Sequence, residues 1–301
     1  MRRIAVLATV LVLAGCATAE EPAVPHGYVE GAEETAEAQS RLVLADDDGA
    51  VRVLDLITEE VTELGPLDGV DAIRGDGRYA HLSDGDTTHV VDSGGWMVDH
   101  GDHVHYYRTE PRVVPTEEAP DPVEAPCPHA GAPRETRRGT VFACADGAIL
   151  VDDGTRTEIP YPATQAPPAP DLTHRNGSTT LAGISAGHGV WVLDVTAKTW
   201  TLVKTGPVVA ANTAGAGTPL LTLTADGVLH AHDIATGAET ATVPLLTDLT
   251  GTPVIEVDPT RAYVNDPAAR KVHEIDYNDN LRVARTFPLD IAPAHMVETG
   301  R

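Results

Sequence analysis

The chain has 301 residues, with 42% apolar content but only 4% aromatics, and its 45 acidic against 21 basic residues leave a formal net charge of -24. That length suits one large all-β domain or two smaller ones, and a core filled by Ala, Val, Leu and Thr suits short strands better than long helices. Phosphate recognition needs clustered Lys and Arg, so nucleic acid is excluded as a partner, whereas cations are favoured by the charge.

In chain order, the first element is "MRRIAVLATVLVLAGCATAEE", with two arginines, an apolar run and then Leu13-Ala14-Gly15-Cys16. The run is too short to span a bilayer as a helix, and its layout resembles the lipobox of bacterial lipoproteins. Residues 1–15 are therefore expected to be a cleaved signal peptide, with lipid on Cys16 anchoring an exported protein to the outer face of the cell membrane. Residues 16–40 are acidic and poor in large apolar side chains, and read as a tether.

From Arg41 onward, apolar residues alternate at period two. The unit strand, Asp or Gly turn, strand ending in Asp, turn, strand recurs through the chain. Its marker aspartates Asp55, Asp92, Asp153, Asp194, Asp233 and Asp276 stand 37, 61, 41, 39 and 43 residues apart. A period near 40 predicts an all-β fold, a β-propeller of about six to seven blades over residues 41–301. A β-sandwich also has regularly spaced strands but does not explain the repetition of one motif. "RLVLAD" and "AHMVET" at the two ends would allow one blade to be sealed by both termini. The 61-residue interval points to an irregular His- and Pro-rich insertion near 99–133.

That insertion carries "DHGDHVHYY", residues 99–107. In an extended segment His103 and His105 project to one side, and His100 or Asp102 can add a donor from the turn, a start for tetrahedral zinc. Further candidates are His129 beside Cys127, His188 in a turn, and the pair His230 and His232, for which a structural role in a strand is the competing reading. Outside Cys16, Cys127 and Cys144 form an even pair in an exported chain, for which a disulfide is expected and a cysteine metal site is the alternative. There is no phosphate-cradling glycine loop and no Cys2His2 spacing.

The run "VVDSGGWMVDHGDHVHYYR", with "PHGYVEGAEE" at 25–34 and "CPHAG" and "FACADG" around the two cysteines, resembles the AztD family of zinc metallochaperones. The resemblance implies an exported propeller without catalytic turnover, holding Zn2+ for the solute-binding protein of an AztABC-type ABC importer. By position it assigns the family's histidine segment to His100, His103 and His105, and its cysteine pair to Cys127 and Cys144. This chain departs from the family pattern in being short between Tyr107 and Cys127, and in reading "CPHAGAP" where "CPxxHGE" is expected. His129 and His188 complete the expected metal set, and a monomer is expected. A protein-interaction propeller without metal, or a lactonase-like propeller hydrolase, are the competing functions.

Overall fold

The computed structural model describes residues 29–85, 87–100, 102–115, 125–128 and 131–301. The expected signal peptide, the expected lipidation site at Cys16 and the first part of the expected tether lie outside the described residues. Among those described there is no helix, and 26 strands form seven antiparallel sheets. In chain order the strands begin with β1 (Glu33–Thr35), β2 (Arg41–Ala45), β3 (Val51–Asp55), β4 (Val61–Leu64), β5 (Ala72–Gly75), β6 (Tyr79–Ser83) and β7 (Thr88–Asp92). There follow β8 (Gly95–Asp99), β9 (Val104–Arg108), β10 (Arg112–Val114), β11 (Arg134–Thr136), β12 (Gly139–Cys144), β13 (Gly147–Asp152) and β14 (Thr155–Pro160). The rest are β15 (Thr180–Ser185), β16 (Gly189–Asp194), β17 (Thr199–Val203), β18 (Val208–Thr213), β19 (Leu220–Thr224), β20 (Val228–His232), β21 (Glu239–Pro244), β22 (Ile255–Val257), β23 (Ala262–Asp266), β24 (Lys271–Asp276), β25 (Arg282–Pro288) and β26 (His295–Thr299).

Five sheets hold four strands, in the orders β26-β2-β3-β4, β10-β7-β6-β5, β11-β12-β13-β14, β18-β19-β20-β21 and β22-β23-β24-β25; β15-β16-β17 and β1-β9-β8 hold three. The sheet shared by both ends of the domain is present as expected: β26 pairs with β2 from Arg41 opposite Thr299 to Ala45 opposite His295.

Period-two alternation sends successive side chains to opposite faces, and here both faces of a strand are covered. In β2, Leu42 and Leu44 pack with Tyr263, Val272 and Phe287, while Val43 and Ala45 pack with Ala80, Leu82 and Val91 of the sheet on the other side. Likewise Trp191 and Leu193 of β16 face Val141 and Ile159, whereas Val190 and Val192 face Ala211 and Leu220. In β2 and β16, then, one face packs on one neighbouring sheet and the opposite face on another. Two of the three tryptophans sit at one such interface, where Tyr161 lies 4.9 Å from Trp191 and 4.4 Å from Trp200.

The recurrent aspartate has a local cause. Asp55, Asp92, Asp194, Asp233 and Asp276 each accept a hydrogen bond from a backbone N–H two or three residues on, closing the turn that follows the strand. This is the Asx-turn chemistry that favours Asp there. Asp153 differs, lying in the turn itself with φ of 43°. Replacing one turn-closing acceptor, as in Asp194→Ala, should lower stability by about 1 kcal/mol, read as a lower urea midpoint with an unchanged slope.

Strands β5, β18, β22 and β26, together with Arg134 and the segment at Thr173 and His174, line a cavity of about 300 Å³. Two of its walls carry Glu256 and Glu298. Burial pushes the Glu256 carboxyl up to about 7, against the pull of the Glu298 backbone N–H and Arg134. Burial, reinforced by Asp258 and Glu256, pushes Glu298 up to about 8 despite its Arg301 partner at 3.0 Å. Both glutamates thus stay protonated in the fold after the unfolded chain has released those protons. Stability is then fullest below the ordinary value of 4.5 and falls as pH rises through about 7 to about 8. Urea unfolding of wild type and Glu256→Gln/Glu298→Gln should diverge by at least about 2 kcal/mol between about pH 5 and about pH 8, with the variant losing less. Parallel profiles would show that the two carboxyls do not titrate in this way.

The tether reading is corrected at its carboxy-terminal end. Residues 33–35 are strand β1, pairing with β9 from Glu33 opposite Arg108 to Thr35 opposite Tyr106, and Gln39 and Ser40 are buried. Acidic composition hid this, because Glu33 and Glu34 are satisfied by specific partners, Arg108 and His105. The long interval is explained in the same place: the chain leaves β7, makes the hairpin β8–β9 and returns as β10 to pair with β7.

Candidate metal centre

The β8–β9 hairpin turns tightly, His100 N–H donating to the His103 carbonyl at 2.9 Å. This closure sets His100 directly across from His103. Further back, Val98 pairs with His105 and Trp96 with Tyr107. One face of the hairpin thus carries Trp96, Val98 and His100 beside His103, His105 and Tyr107. The H-x-x-H-x-H spacing is a three-imidazole motif for this reason: three positions cross the turn, and two more step along the strand.

The inner end of that face is anchored. Tyr107 is fully buried and stacks on Trp96 at 5.4 Å, and the Arg78 guanidinium sits 3.9 Å over the Trp96 ring. The root of the hairpin is tied by Arg41, which donates to the carbonyls of Ser93 and Thr109 while paired with Asp55 at 3.3 Å. The outer end is open, the His103 side chain being 56% exposed and that of His105 25%.

The three rings gather closely, with centroids 4.9 Å apart for His100 and His103, 5.3 Å for His100 and His105, and 4.9 Å for His103 and His105. One nitrogen from each lies within 4.8 Å of the others. Bonds of about 2.0–2.1 Å in tetrahedral geometry would set zinc-bound nitrogens about 3.3 Å apart, so small rotations of exposed rings complete the site. His103 Nδ1 faces Asp102 Oδ1 at 2.7 Å and His105 Nδ1 faces Glu34 Oε1 at 2.7 Å. Ionised carboxylates only accept, so both rings donate from Nδ1 and keep the Nε2 lone pair for a metal. The hydrogen bond from His103 is the main reason the Asp102 carboxyl is held below its ordinary value. Neutral imidazole donors, oriented by carboxylates and carrying at least one open position, suit a borderline-soft divalent ion that is bound and given up again.

The remaining candidates divide. His129 lies outside the described residues. His188 is in the β15–β16 turn, hydrogen-bonded to the Ala186 carbonyl at 3.0 Å and apart from the three-histidine group. His230 bonds Glu239 and Thr224, and His232 is buried against Thr222, which fits their structural reading. Cys127 and Cys144 are joined in a disulfide, which removes both thiols as ligands. Sequence reading missed Glu34 and Arg41 at this site. Neither has a local signal, since Glu34 meets His105 across 71 residues of chain.

No family profile matches the chain, and no curated protein does. Among solved structures, the chain is similar to AztD from Citrobacter koseri, with a TM-score of 0.72 and 15% identity over 87% of this chain and 98% of that one. Apo AztD from the same organism gives the same values. A second similarity is to a chain of a nidogen/laminin complex, with a TM-score of 0.53, 11% identity and coverage of 86% and 98%. The class defined here is therefore an all-β, multi-sheet fold bearing an exposed three-histidine cluster. Within that class, the AztD likeness read from the histidine motif holds for the fold.

Proposed function

We propose that this chain is an exported, lipid-anchored zinc carrier that passes Zn2+ to the solute-binding protein of an ABC importer, without catalytic turnover. The observation that carries the reading is the convergence of His100, His103 and His105 on one open face, two of them already oriented by carboxylates. The zinc-chaperone resemblance of the sequence and the AztD-like fold support it. The acidic surface raises the local concentration of cations and weakens as a lure with salt.

For the architecture we propose a propeller of six sheets about the cavity, with β1-β9-β8 as a seventh sheet set to one side. Its support is the run of face-to-face apolar clusters and the convergence of strands from successive sheets on one cavity. Delivery is tested by mixing zinc-loaded chain with metal-free solute-binding protein. Transfer faster than spontaneous dissociation into a chelator is expected, whereas equal rates would reduce the protein to a zinc buffer.

A further inference from the structure

We propose that strand β1 is a clasp on the metal centre, in which Glu34 positions His105 and zinc occupancy and β1 docking strengthen each other. The inference rests on the zinc reading above and concerns its regulation. Strand β1 pairs with β9 through only three residues, Glu33, Glu34 and Thr35, and none of them is buried. A strand of this length, without an apolar face, is held by little more than its ladder, a 3.4 Å hydrogen bond from Thr35 Oγ1 to the Tyr106 carbonyl, and two charged side-chain contacts. Those charged contacts go to opposite faces. On one side Arg108 donates from Nε and Nη2 to a single Glu33 oxygen, Oε2, at 2.9 and 2.7 Å. Glu34, opposite Tyr107, lies on the histidine side and reaches diagonally to His105 Nδ1 at 2.7 Å.

The two imidazole orienters therefore differ in kind. Asp102 is the neighbour of His103 in the same turn and travels with it. Glu34 arrives on a separate, weakly held strand, so the orientation of His105 depends on whether β1 is docked. A metal that pulls on Nε2 strengthens the Nδ1–H bond to Glu34, and by linkage whatever factor docking adds to zinc affinity, zinc adds to docking. Lifting β1 would free His105 to turn and loosen the ion, a release step built into the amino-terminal end of the domain.

The test uses the full chain with zinc alone as the probe. Calorimetry should show Glu34→Ala weakening zinc binding about 10- to 100-fold, the range for losing an outer partner of a ligating histidine. Glu34→Gln should recover most of that loss, because its amide oxygen still accepts from Nδ1–H. Hydrogen exchange in peptides covering residues 29–38 should slow on adding zinc to wild type and not to Glu34→Ala. Unchanged affinity in Glu34→Ala, or exchange in 29–38 indifferent to zinc in a wild type that binds it, overturns the clasp alone. A wild type that binds no zinc removes the zinc reading and the clasp together.

Discussion

Zinc titrated into His103→Ala/His105→Ala protein should bind at least about 100-fold more weakly than to wild type, a larger loss than removing an outer partner produces. Two of three gathered nitrogens are lost, and His100 alone cannot satisfy an ion that wants four donors. Both side chains sit at the open end of the hairpin, so the unfolding free energy should stay within about 0.5 kcal/mol of wild type. His188→Ala and His230→Ala serve as controls and should leave affinity unchanged, since neither joins the cluster. Equal zinc heats in the double variant and wild type would move the site elsewhere in the chain. Cobalt, nickel and copper should compete in the general divalent order, because imidazole donors do not choose among them.

Arg41→Ala should cost about 3 kcal/mol of stability, measured by urea unfolding, and should weaken zinc binding as well. The guanidinium is nearly buried, its side chain 8% exposed, and it serves Asp55, Ser93 and Thr109 at once. Truncation leaves a half-buried carboxylate and two inward carbonyls without this donor, the situation in which removing one partner is most destabilising. Ser93 and Thr109 flank the histidine hairpin, whose base is also closed by Thr109 N–H donating to the Gly94 carbonyl at 2.7 Å. Loosening that root lets the three rings drift apart even though no ligand is changed. Arg41→Lys should recover only part of the loss, because one ammonium cannot span the same three acceptors in the geometry of a planar fork. A variant as stable as wild type would show that the hairpin is held by its strand pairing alone.

The parts of this protein legible from the chain were those governed by short-range rules. Alternation announced strands such as Arg41–Ala45 and Gly189–Asp194, and the repeated aspartates announced turns, because an Asp carboxylate reaches a backbone N–H two or three positions ahead. The spacing of His100, His103 and His105 announced shared chemistry, since a tight hairpin and a two-residue step both return to one face. The cysteine pair was legible from number and context. The acidic segment before Arg41 was misread because composition speaks for solvent, whereas Glu33 and Glu34 are spent on Arg108 and His105.

By itself, then, the sequence determined the all-β character, the recurrent strand unit and the identity of the clustered imidazoles, all set by contacts within a few residues of chain. Only the tertiary structure decided which strand would brace them, that Arg41 would tie their hairpin to the main body, and that Glu256 and Glu298 would line one cavity. Such partnerships join positions tens to hundreds of residues apart. They depend on which sheets come to lie together, and no periodicity along the chain records that.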